Sequence, residues 1–155
     1  MRTLLHDERG AALAEFVAVA TPLFVTFFSL VQLGLAYTAK LVVDHSARVS
    51  ARAAAVLAPP NPDAPPDAGE QVRRAAELAM GPWAAGHALG DVRVRVKPPA
   101  APFAELVTEV RATYTCSVPV GGRVVCGLDG RWEMVGHAAF PSQGARYRRF
   151  ERRRP

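Results

Sequence analysis

The longest apolar stretch of the chain, FVAVATPLFVTFFSLVQLGLAYTA, runs from Phe16 to Ala39 and contains no Asp, Glu, Lys, Arg or His. At about 1.5 Å per helical residue this stretch spans roughly 36 Å, which is enough to cross a hydrocarbon core of about 30 Å. A buried helix of a soluble protein is the alternative, but such a helix seldom lacks charge for so long. The stretch therefore predicts a single transmembrane helix.

A cleavable secretory signal is a second alternative, with Arg2 and Arg9 as its basic region. The apolar stretch is longer than the roughly 7–15 residues of such signals. The A-x-A site at residues 18–20 comes too early to leave an adequate apolar core before it. Glu15 at the start of the stretch has no purpose in a simple signal.

Glu15 needs a partner, because an ionised carboxylate beside hydrocarbon is unfavourable by about 2–3 kcal/mol. If the chain were cut after Gly10, Ala11 would carry a free ammonium group. Ala11 and Glu15 are four residues apart and share one helix face. The ammonium group could then neutralise the carboxylate in the same chain or in a neighbouring chain. The helix dipole also favours an anion in the first turn.

The stretch DERGAALAEF, residues 7–16, resembles the prepilin signature of a leader ending in Gly, four small or apolar residues, Glu and a long apolar helix. In detail the chain is similar to the TadE-like pseudopilins of tight-adherence (Tad) type IV pilus systems. The further matching features are Pro22-Leu23, Gly34-Leu35-Ala36-Tyr37 and the Ala/Arg-rich stretch 47–56. The similarity covers roughly residues 6–57.

This resemblance implies a minor pilin or pilus assembly component with a leader at residues 1–10. A prepilin peptidase would cut between Gly10 and Ala11, and Glu15 with Phe16 would direct assembly. The implied partners are that peptidase, other pilin or pseudopilin subunits, and membrane lipid. The implied place is the bacterial inner membrane, with the N-terminus cytoplasmic and the C-terminal domain periplasmic, or extracellular in a pilus.

The distribution of basic residues slightly favours the opposite orientation, because Lys40, Arg48 and Arg52 follow the span whereas Arg2 and Arg9 precede it. The leader motif is given more weight.

The helix is expected to continue past the membrane, so that residues 11–57 form one transmembrane and stalk helix. A heptad-like stripe of apolar and small residues supports this continuation: Leu35, Ala39, Val42, Ser46, Val49, Ala53 and Val56. The stripe is expected to pack on the chain's own C-terminal domain, or alternatively on neighbouring subunits. The opposite face carries Asp44, Arg48 and Arg52, with Asp44 and Arg48 as an expected ion pair.

Residues 58–68 are rich in proline and predict a stiff linker. Residues 69–145 are expected to form an exported α+β domain. Asp67 and Glu70 resemble a capping box that opens a helix ending at Met80, before Gly81-Pro82. The fold class is thus α+β: a long N-terminal helix, then a small domain with one helix and an antiparallel sheet of about four strands.

Alternation of apolar and polar residues predicts the strands. Val92, Val94 and Val96 alternate with basic residues, whose face is either a solvated or protected sheet surface or an anion-binding patch. Three further strands have their apolar residues at even positions, and these residues are expected to face inward: Leu106, Val110, Ala112, Tyr114, Cys116 and Val118, then Val124, Cys126 and Leu128, then Trp132, Met134, Ala138 and Phe140.

The two cysteines, Cys116 and Cys126, are expected to pair across a hairpin centred on Gly121, with Val118 opposite Val124 and Tyr114 opposite Leu128. A disulfide there would stabilise the fold by about 2–3 kcal/mol and agrees with export to an oxidising compartment. A pair of reduced buried thiols is the alternative. Two cysteines without matching histidines do not predict a zinc site.

Catalytic, cofactor and metal signatures are not found in the sequence, so no enzyme activity and no cofactor is expected. Residues 1–145 carry 13 basic and 13 acidic residues, whereas the basic tail 146–155 carries six Arg and one Glu. The positive charge therefore belongs to the tail, and no specific nucleic-acid binding is expected. The tail is either a disordered solubilising end or a contact for an acidic partner.

The main functional alternative is a signal-anchored envelope protein whose exported domain binds a ligand or a cell-envelope polymer. That protein would keep its N-terminus intact and would tolerate Glu15→Ala. A secreted enzyme released by signal peptidase is a third possibility, and the missing catalytic residues argue against it.

Overall fold

The structure is a computed structural model that describes residues 8–57, 67–97 and 105–141. The helices are α1 (Glu8–Leu57), α2 (Ala68–Met80), α3 (Pro82–Ala85) and α4 (Gly121–Cys126), and the strands are β1 (Leu89–Lys97), β2 (Glu105–Thr115) and β3 (Arg131–Pro141). The first seven residues of the predicted leader, residues 58–66 of the predicted linker and the basic tail 146–155 lie outside the described residues.

The long helix predicted for residues 11–57 is confirmed, and it starts slightly earlier, at Glu8. It continues through Pro22, which has no N–H group for the helical ladder. Three hydroxyl groups in the apolar stretch donate to the carbonyl four residues earlier: Thr21 Oγ1 to Val17 O, Thr26 Oγ1 to Pro22 O and Ser29 Oγ to Val25 O. These bonds satisfy the hydroxyls within the helix itself, as a lipid-facing helix requires.

The sheet has three strands in the order β1-β2-β3 within the described ranges, and β1 pairs with β2 in antiparallel register. The α+β class is confirmed, but the expectation of about four strands is one too many. The segment interpreted as the additional strand forms α4 instead. Its Gly122 N–H donates to Val118 O at 2.8 Å, and its Val124 N–H donates to Val120 O at 3.1 Å. Both bonds span four residues, which is the helical pattern.

The predicted cysteine hairpin is therefore wrong, because Val118 and Tyr114 have no strand opposite them at Val124 and Leu128. β2 ends at Thr115, before Cys116. Three apolar residues at alternate positions are too few to distinguish a strand from one and a half turns of helix. α4 nevertheless brings the chain back towards Cys116, so that the Cα atoms of Cys116 and Cys126 lie 6.6 Å apart.

The inward orientation predicted for β2 is confirmed, because Leu106, Val110, Ala112 and Tyr114 are all buried. On β3, Met134 is buried and Ala138 and Phe140 are half-buried, but Trp132 is exposed, contrary to the prediction.

β1 starts three residues before the predicted valines and contains a bulge between Gly90 and Arg93. Leu89 lies opposite Tyr114, whereas Val94 lies opposite Val110 after the bulge. The bulge changes the parity of the strand, which lets Leu89 at an odd position and Val94 at an even position face the same side. Asp91 takes up the bend with a positive φ of 49°.

Two compact units divide the chain: residues up to Ala36 with Cys116–Arg131, and Tyr37–Thr115 with the residues from Trp132 onward. In the second unit, Ala54 of α1, Val72 of α2 and Leu106 of β2 form a buried cluster. Val94 and Val96 of β1 pack against this cluster. The C-terminal part of α1 thus packs on the chain's own domain, as the sequence analysis expected.

The predicted stripe is shifted by about one residue. The fully buried positions of α1 in this unit are Ala39, Val43, Ser46, Ala47, Ser50, Ala51 and Ala54. Ala39 and Ser46 belong to both sets, but Val56 is exposed. Small side chains line this buried face of α1 because the backbone of β3 comes very close to it. A Cβ atom added to Gly136 of β3 would lie 2.8 Å from Val43 O.

The predicted helix up to Met80 is confirmed as α2, but its capping box does not form. Asp67 makes no side-chain bond to the backbone, and instead its carboxylate accepts a hydrogen bond from Gln71 Nε2 at 2.9 Å. Glu70 pairs with arginines of the next turn. The helix ends at Gly81, whose φ is 48° and whose N–H bonds to Leu78 O at 3.1 Å.

On α1, the expected ion pair between Asp44 and Arg48 is replaced by another, because Asp44 pairs with Lys40.

Candidate anchoring and assembly segment

The four residues predicted for processing and assembly lie at the start of α1. Gly10, Ala11, Glu15 and Phe16 are all helical and all exposed. Ala11 and Glu15 are one helical turn apart, so their side chains belong to the same face. The helix thus keeps Glu15 close to the backbone nitrogen of Ala11, which would become a free amino group if the mature chain began at Ala11.

Glu15 has no hydrogen-bond or ion-pair partner within the part of the chain that the structure describes. In the chain Glu15 directly precedes exposed Phe16, where the apolar surface of α1 begins. A charged group in this place needs a counter-charge, because water is scarce there once the helix enters a membrane. This geometry makes Glu15 available to a cation from its own N-terminus or from another chain.

The surface that follows Glu15 is apolar on nearly all sides. The exposed large side chains in this part of α1 are Val17, Val19, Leu23, Phe24, Phe27, Phe28, Leu30, Val31 and Leu33. The most hydrophobic 18-residue window of the helix has a mean hydropathy of 2.0 and is 6% buried. A core helix of a soluble protein would be mostly covered. The chain therefore carries one N-terminal helix that is compatible with a single-pass membrane anchor.

Gln32 is a functional residue that the sequence analysis missed. It is fully buried, although it lies inside the apolar stretch. Its Oε1 atom accepts a hydrogen bond of 3.0 Å from the Val118 N–H group. An amide in the middle of an apolar stretch was the available signal, because a buried polar side chain needs a partner. The identity of that partner could not be read locally, since Val118 is 86 residues away.

Gly121 is the second residue whose role the sequence did not predict, because Gly121 was expected only at the centre of a hairpin. A Cβ atom added to Gly121 would lie 2.2 Å from Phe28 O, which no real side chain could tolerate. The same atom added to Gly122 would meet Cys116 Cβ at an ordinary distance of 3.4 Å. Gly121 therefore lets the backbone of α4 lie directly against the backbone of α1.

The two cysteines lie at disulfide distance on either side of this contact. The Cys116 N–H group also donates to Gly130 O at 2.8 Å, so both ends of the segment are fixed near one another. We call residues 116–130 the cysteine loop. It belongs to the same compact unit as the first part of α1.

The outer face of the sheet carries the basic residues predicted on β1, and Arg93, Arg95 and Lys97 are exposed. Part of this charge is balanced by Glu109 of β2, which pairs with Arg111. The hydrogen bond from Arg111 lowers the pKa of Glu109 below its ordinary value. Glu133 of β3 lies 3.6 Å from the same guanidinium group.

No group of three His, Cys, Asp or Glu side chains lies close enough to hold a metal ion within residues 8–57, 67–97 and 105–141.

The predicted processing, assembly and cysteine residues form two structural groups. Gly10, Ala11, Glu15 and Phe16 lie together at the start of α1. Cys116 and Cys126 lie near Phe28 and Gln32 in the same unit.

No curated protein and no solved structure matches the chain significantly. A family model does match, and its description is TadE-like protein. The match covers residues 10–52, less than a third of the 155 residues, and it starts at Gly10 and includes Glu15. It ends within the stalk part of α1, before the domain that contains α2 and the sheet. The resemblance inferred from the sequence is confirmed, because residues 10–52 of this chain are similar to the TadE-like family.

Proposed function

We propose that the protein is a membrane-anchored minor pilin or assembly component of a Tad-type pilus, and that it performs no enzymatic reaction. The observation that carries the proposal is the family match that begins at Gly10 and extends along an exposed apolar helix. The TadE-like family is associated with other pilus components in a membrane.

In this proposal a prepilin peptidase cuts between Gly10 and Ala11. Glycine has no side chain, so the peptidase can approach the scissile bond closely. The cut produces an ammonium group at Ala11, one turn before Glu15. Gly10, Ala11 and Glu15 are all exposed, so the described chain covers neither the Gly10–Ala11 bond nor the Glu15 carboxylate. This accessibility supports the proposed cut and the ion pair that follows it.

After the cut, the ammonium group of one subunit neutralises Glu15 of the same or a neighbouring subunit. Phe16 and the apolar surface beyond it first contact lipid and later contact other subunits. The N-terminus stays cytoplasmic in the bacterial inner membrane, and the domain with the sheet is periplasmic or, in a pilus, extracellular. Glu15 thereby sets the axial position of the helix, because an unpaired carboxylate would be unfavourable in the anchored helix.

Two variants of the full chain test the proposal separately, in cells that contain the peptidase and the other pilus subunits. Gly10→Leu should prevent the shortening of the chain by ten residues. Glu15→Gln should leave the shortening intact but reduce the amount of other subunits that co-purify. The matched control is Glu105→Gln, which changes an exposed glutamate of β2 outside the anchor.

Full shortening of Gly10→Leu would contradict the processing role. Normal co-purification of Glu15→Gln would contradict the assembly role, provided that the Glu105→Gln chain behaves like the unmodified protein. An unshortened wild-type chain that associates with no pilus subunit would favour the signal-anchored alternative.

A further inference from the structure

The burial of α1 changes abruptly near the middle of the helix. No side chain from Gly10 to Val31 is buried, and Gln32 is the first buried residue. The uncharged part of this exposed surface, from Phe16 to Val31, is roughly 24 Å long at about 1.5 Å per residue, somewhat shorter than a hydrocarbon core of about 30 Å. A core that begins at Phe16, directly after Glu15, places the membrane boundary on the C-terminal side near Leu35, about one helical turn after Gln32 and earlier than the end of the apolar stretch at Ala39. This argument rests on the proposed membrane anchoring.

The cysteine loop contacts α1 at this same level. The Val118 N–H group bonds to Gln32 Oε1, and Gly121 has no room for a Cβ atom beside Phe28 O. These two contacts place the loop within about two helical turns of the inferred boundary. A loop of this position cannot be far from lipid headgroups if the helix spans the bilayer.

The loop presents apolar side chains that the described chain does not cover. Val120 is 50% exposed, Val124 is 60% exposed and Leu128 is 94% exposed. Exposed single residues are common, but here three belong to one short loop that adjoins the apolar surface of α1. The same loop carries exposed Arg123.

The charges of the loop also suit a membrane interface. Arg123 of the loop and Arg131, which directly follows the loop, are exposed cations, and Asp129 is the exposed anion between them in the sequence. Arginine side chains near apolar residues can extend to lipid phosphates while their stems remain in apolar surroundings. The loop contacts α1 at Phe28 and Gln32, next to the exposed apolar side chains of Val31 and Leu33, and this apolar neighbourhood argues for lipid as the occupant of the loop's exposed side.

We propose that the cysteine loop is an interfacial foot, in which Val120, Val124 and Leu128 enter the membrane–water interface beside α1. The foot is a second membrane contact of the protein. Together with the helix it fixes how deeply the anchor sits and how it is rotated, because one helix alone is free to turn about its axis.

Tryptophan fluorescence in vesicles with brominated acyl chains tests the foot. The full chain carries Trp83→Phe and Trp132→Phe, which remove both native tryptophans. The probe is then introduced as Leu128→Trp. The matched control is Leu78→Trp, because Leu78 on α2 is an exposed leucine as well, at 81%. Phe24→Trp in the exposed part of α1 reports the anchoring itself, and Val124→Trp is a second probe of the loop.

The vesicles consist of phosphatidylcholine and phosphatidylglycerol with and without brominated lipid. The foot predicts several-fold stronger quenching of Leu128→Trp than of Leu78→Trp, together with emission at shorter wavelength, and the same for Val124→Trp. If Phe24→Trp is quenched while both loop probes behave like Leu78→Trp, the foot is wrong and the anchoring stands.

Loop probes that emit at shorter wavelength without quenching would mean that protein covers the loop, for example a second copy of the chain, and this would also overturn the foot. Absence of quenching at Phe24→Trp would overturn the anchoring and the foot together.

Discussion

Gly121 shows how a single residue decides a contact. Its backbone is so close to Phe28 that a methyl group would lie 2.2 Å from a carbonyl oxygen. That distance requires the two backbones to move apart, and the hydrogen bond between Val118 and Gln32 would have to stretch or break. Glycine is necessary at this position because no side chain fits beside Phe28. Its backbone conformation is not the reason, since Gly121 has no positive φ.

We predict that Gly121→Ala lowers the free energy of unfolding by about 1–3 kcal/mol, because the added methyl group overpacks the contact. Gly122→Ala should change the free energy of unfolding by less than about 0.5 kcal/mol, since its methyl group meets only an ordinary contact. Thermal unfolding of both variants in detergent micelles, followed by circular dichroism, provides the comparison. Equal stability of the two variants would contradict the close approach.

Sequence reasoning reached some residues of the candidate site and missed others for a physical reason. Gly10, Ala11 and Glu15 were accessible because their meaning depends on neighbours within a few positions. Gln32 and Gly121 were not, because their partners are far away in the chain. Residue type indicated that Gln32 needs a partner, but the location of that partner is a property of the fold.

At the scale of elements, α1 serves two environments with one continuous helix. Its first part exposes large apolar side chains, and its last part buries small ones such as Ala47 and Ala51. The long stretch without charge predicted the first part of the helix, and the heptad-like stripe predicted its continuation, because both patterns can be recognised without tertiary information. The buried face was predicted about one residue out of phase, because the close approach of Gly136 to Val43, which favours small side chains there, is a property of the fold.

The close packing of this face can be tested with two neighbouring residues. Ala51→Leu should lower the free energy of unfolding by about 1–3 kcal/mol, because Ala51 is completely buried and the larger side chain has no space. Arg52→Leu introduces the same side chain at an exposed position and should change stability by less than about 0.5 kcal/mol. If Ala51→Leu were as stable as Arg52→Leu, the assigned phase of the helix would be wrong. Denaturant unfolding in micelles gives both values.

Local alternation of apolar and polar residues predicted the strands, and residues typical of helix ends predicted α2. These signals succeeded where the segment was long. β2 has five buried residues at even positions, namely Leu106, Thr108, Val110, Ala112 and Tyr114. The signal failed at α4, where the segment is short and its hydrogen bonds follow the helical pattern. Its neighbour Phe28 could not be inferred from the sequence either.

α2 should be sensitive to acid through Glu70. Hydrogen bonding to Arg73, above all, lowers the pKa of Glu70 below its ordinary value. A lowered pKa in the folded state means that the ion pair stabilises the fold fully above the unfolded-state pKa of about 4.3. This stabilisation is lost as the pH falls through the lower folded-state pKa.

We therefore expect wild-type stability to decrease below about pH 4.3 with a contribution that Glu70→Gln removes. The variant should show a shallower decrease, which melting temperatures across this range would measure. Glu105→Gln is the matched control, because Glu105 is an exposed glutamate of β2 in the same unit. Identical acid profiles of Glu70→Gln and wild type would contradict the role of the ion pair.

At the scale of the whole molecule, the N-terminal helix is similar to a known family, and the described residues beyond it are understood from their packing. Residues 10–52 match the family, whereas α2, the sheet and the cysteine loop lie beyond the match. The general architecture was predictable because hydrophobic length, proline content and strand alternation each act over one region. The contacts that join distant regions, such as Gln32 with Val118, required the folded chain.

The central claim concerns a new amino group next to Glu15, so the N-terminus of the native protein is its most direct test. Intact mass and N-terminal sequencing of protein isolated from membranes of cells with the prepilin peptidase should give Ala11 as the first residue. The Gly10→Leu chain from the same cells should begin at the original N-terminus. Recovery of the wild-type chain with residues 1–10 still attached would contradict the account.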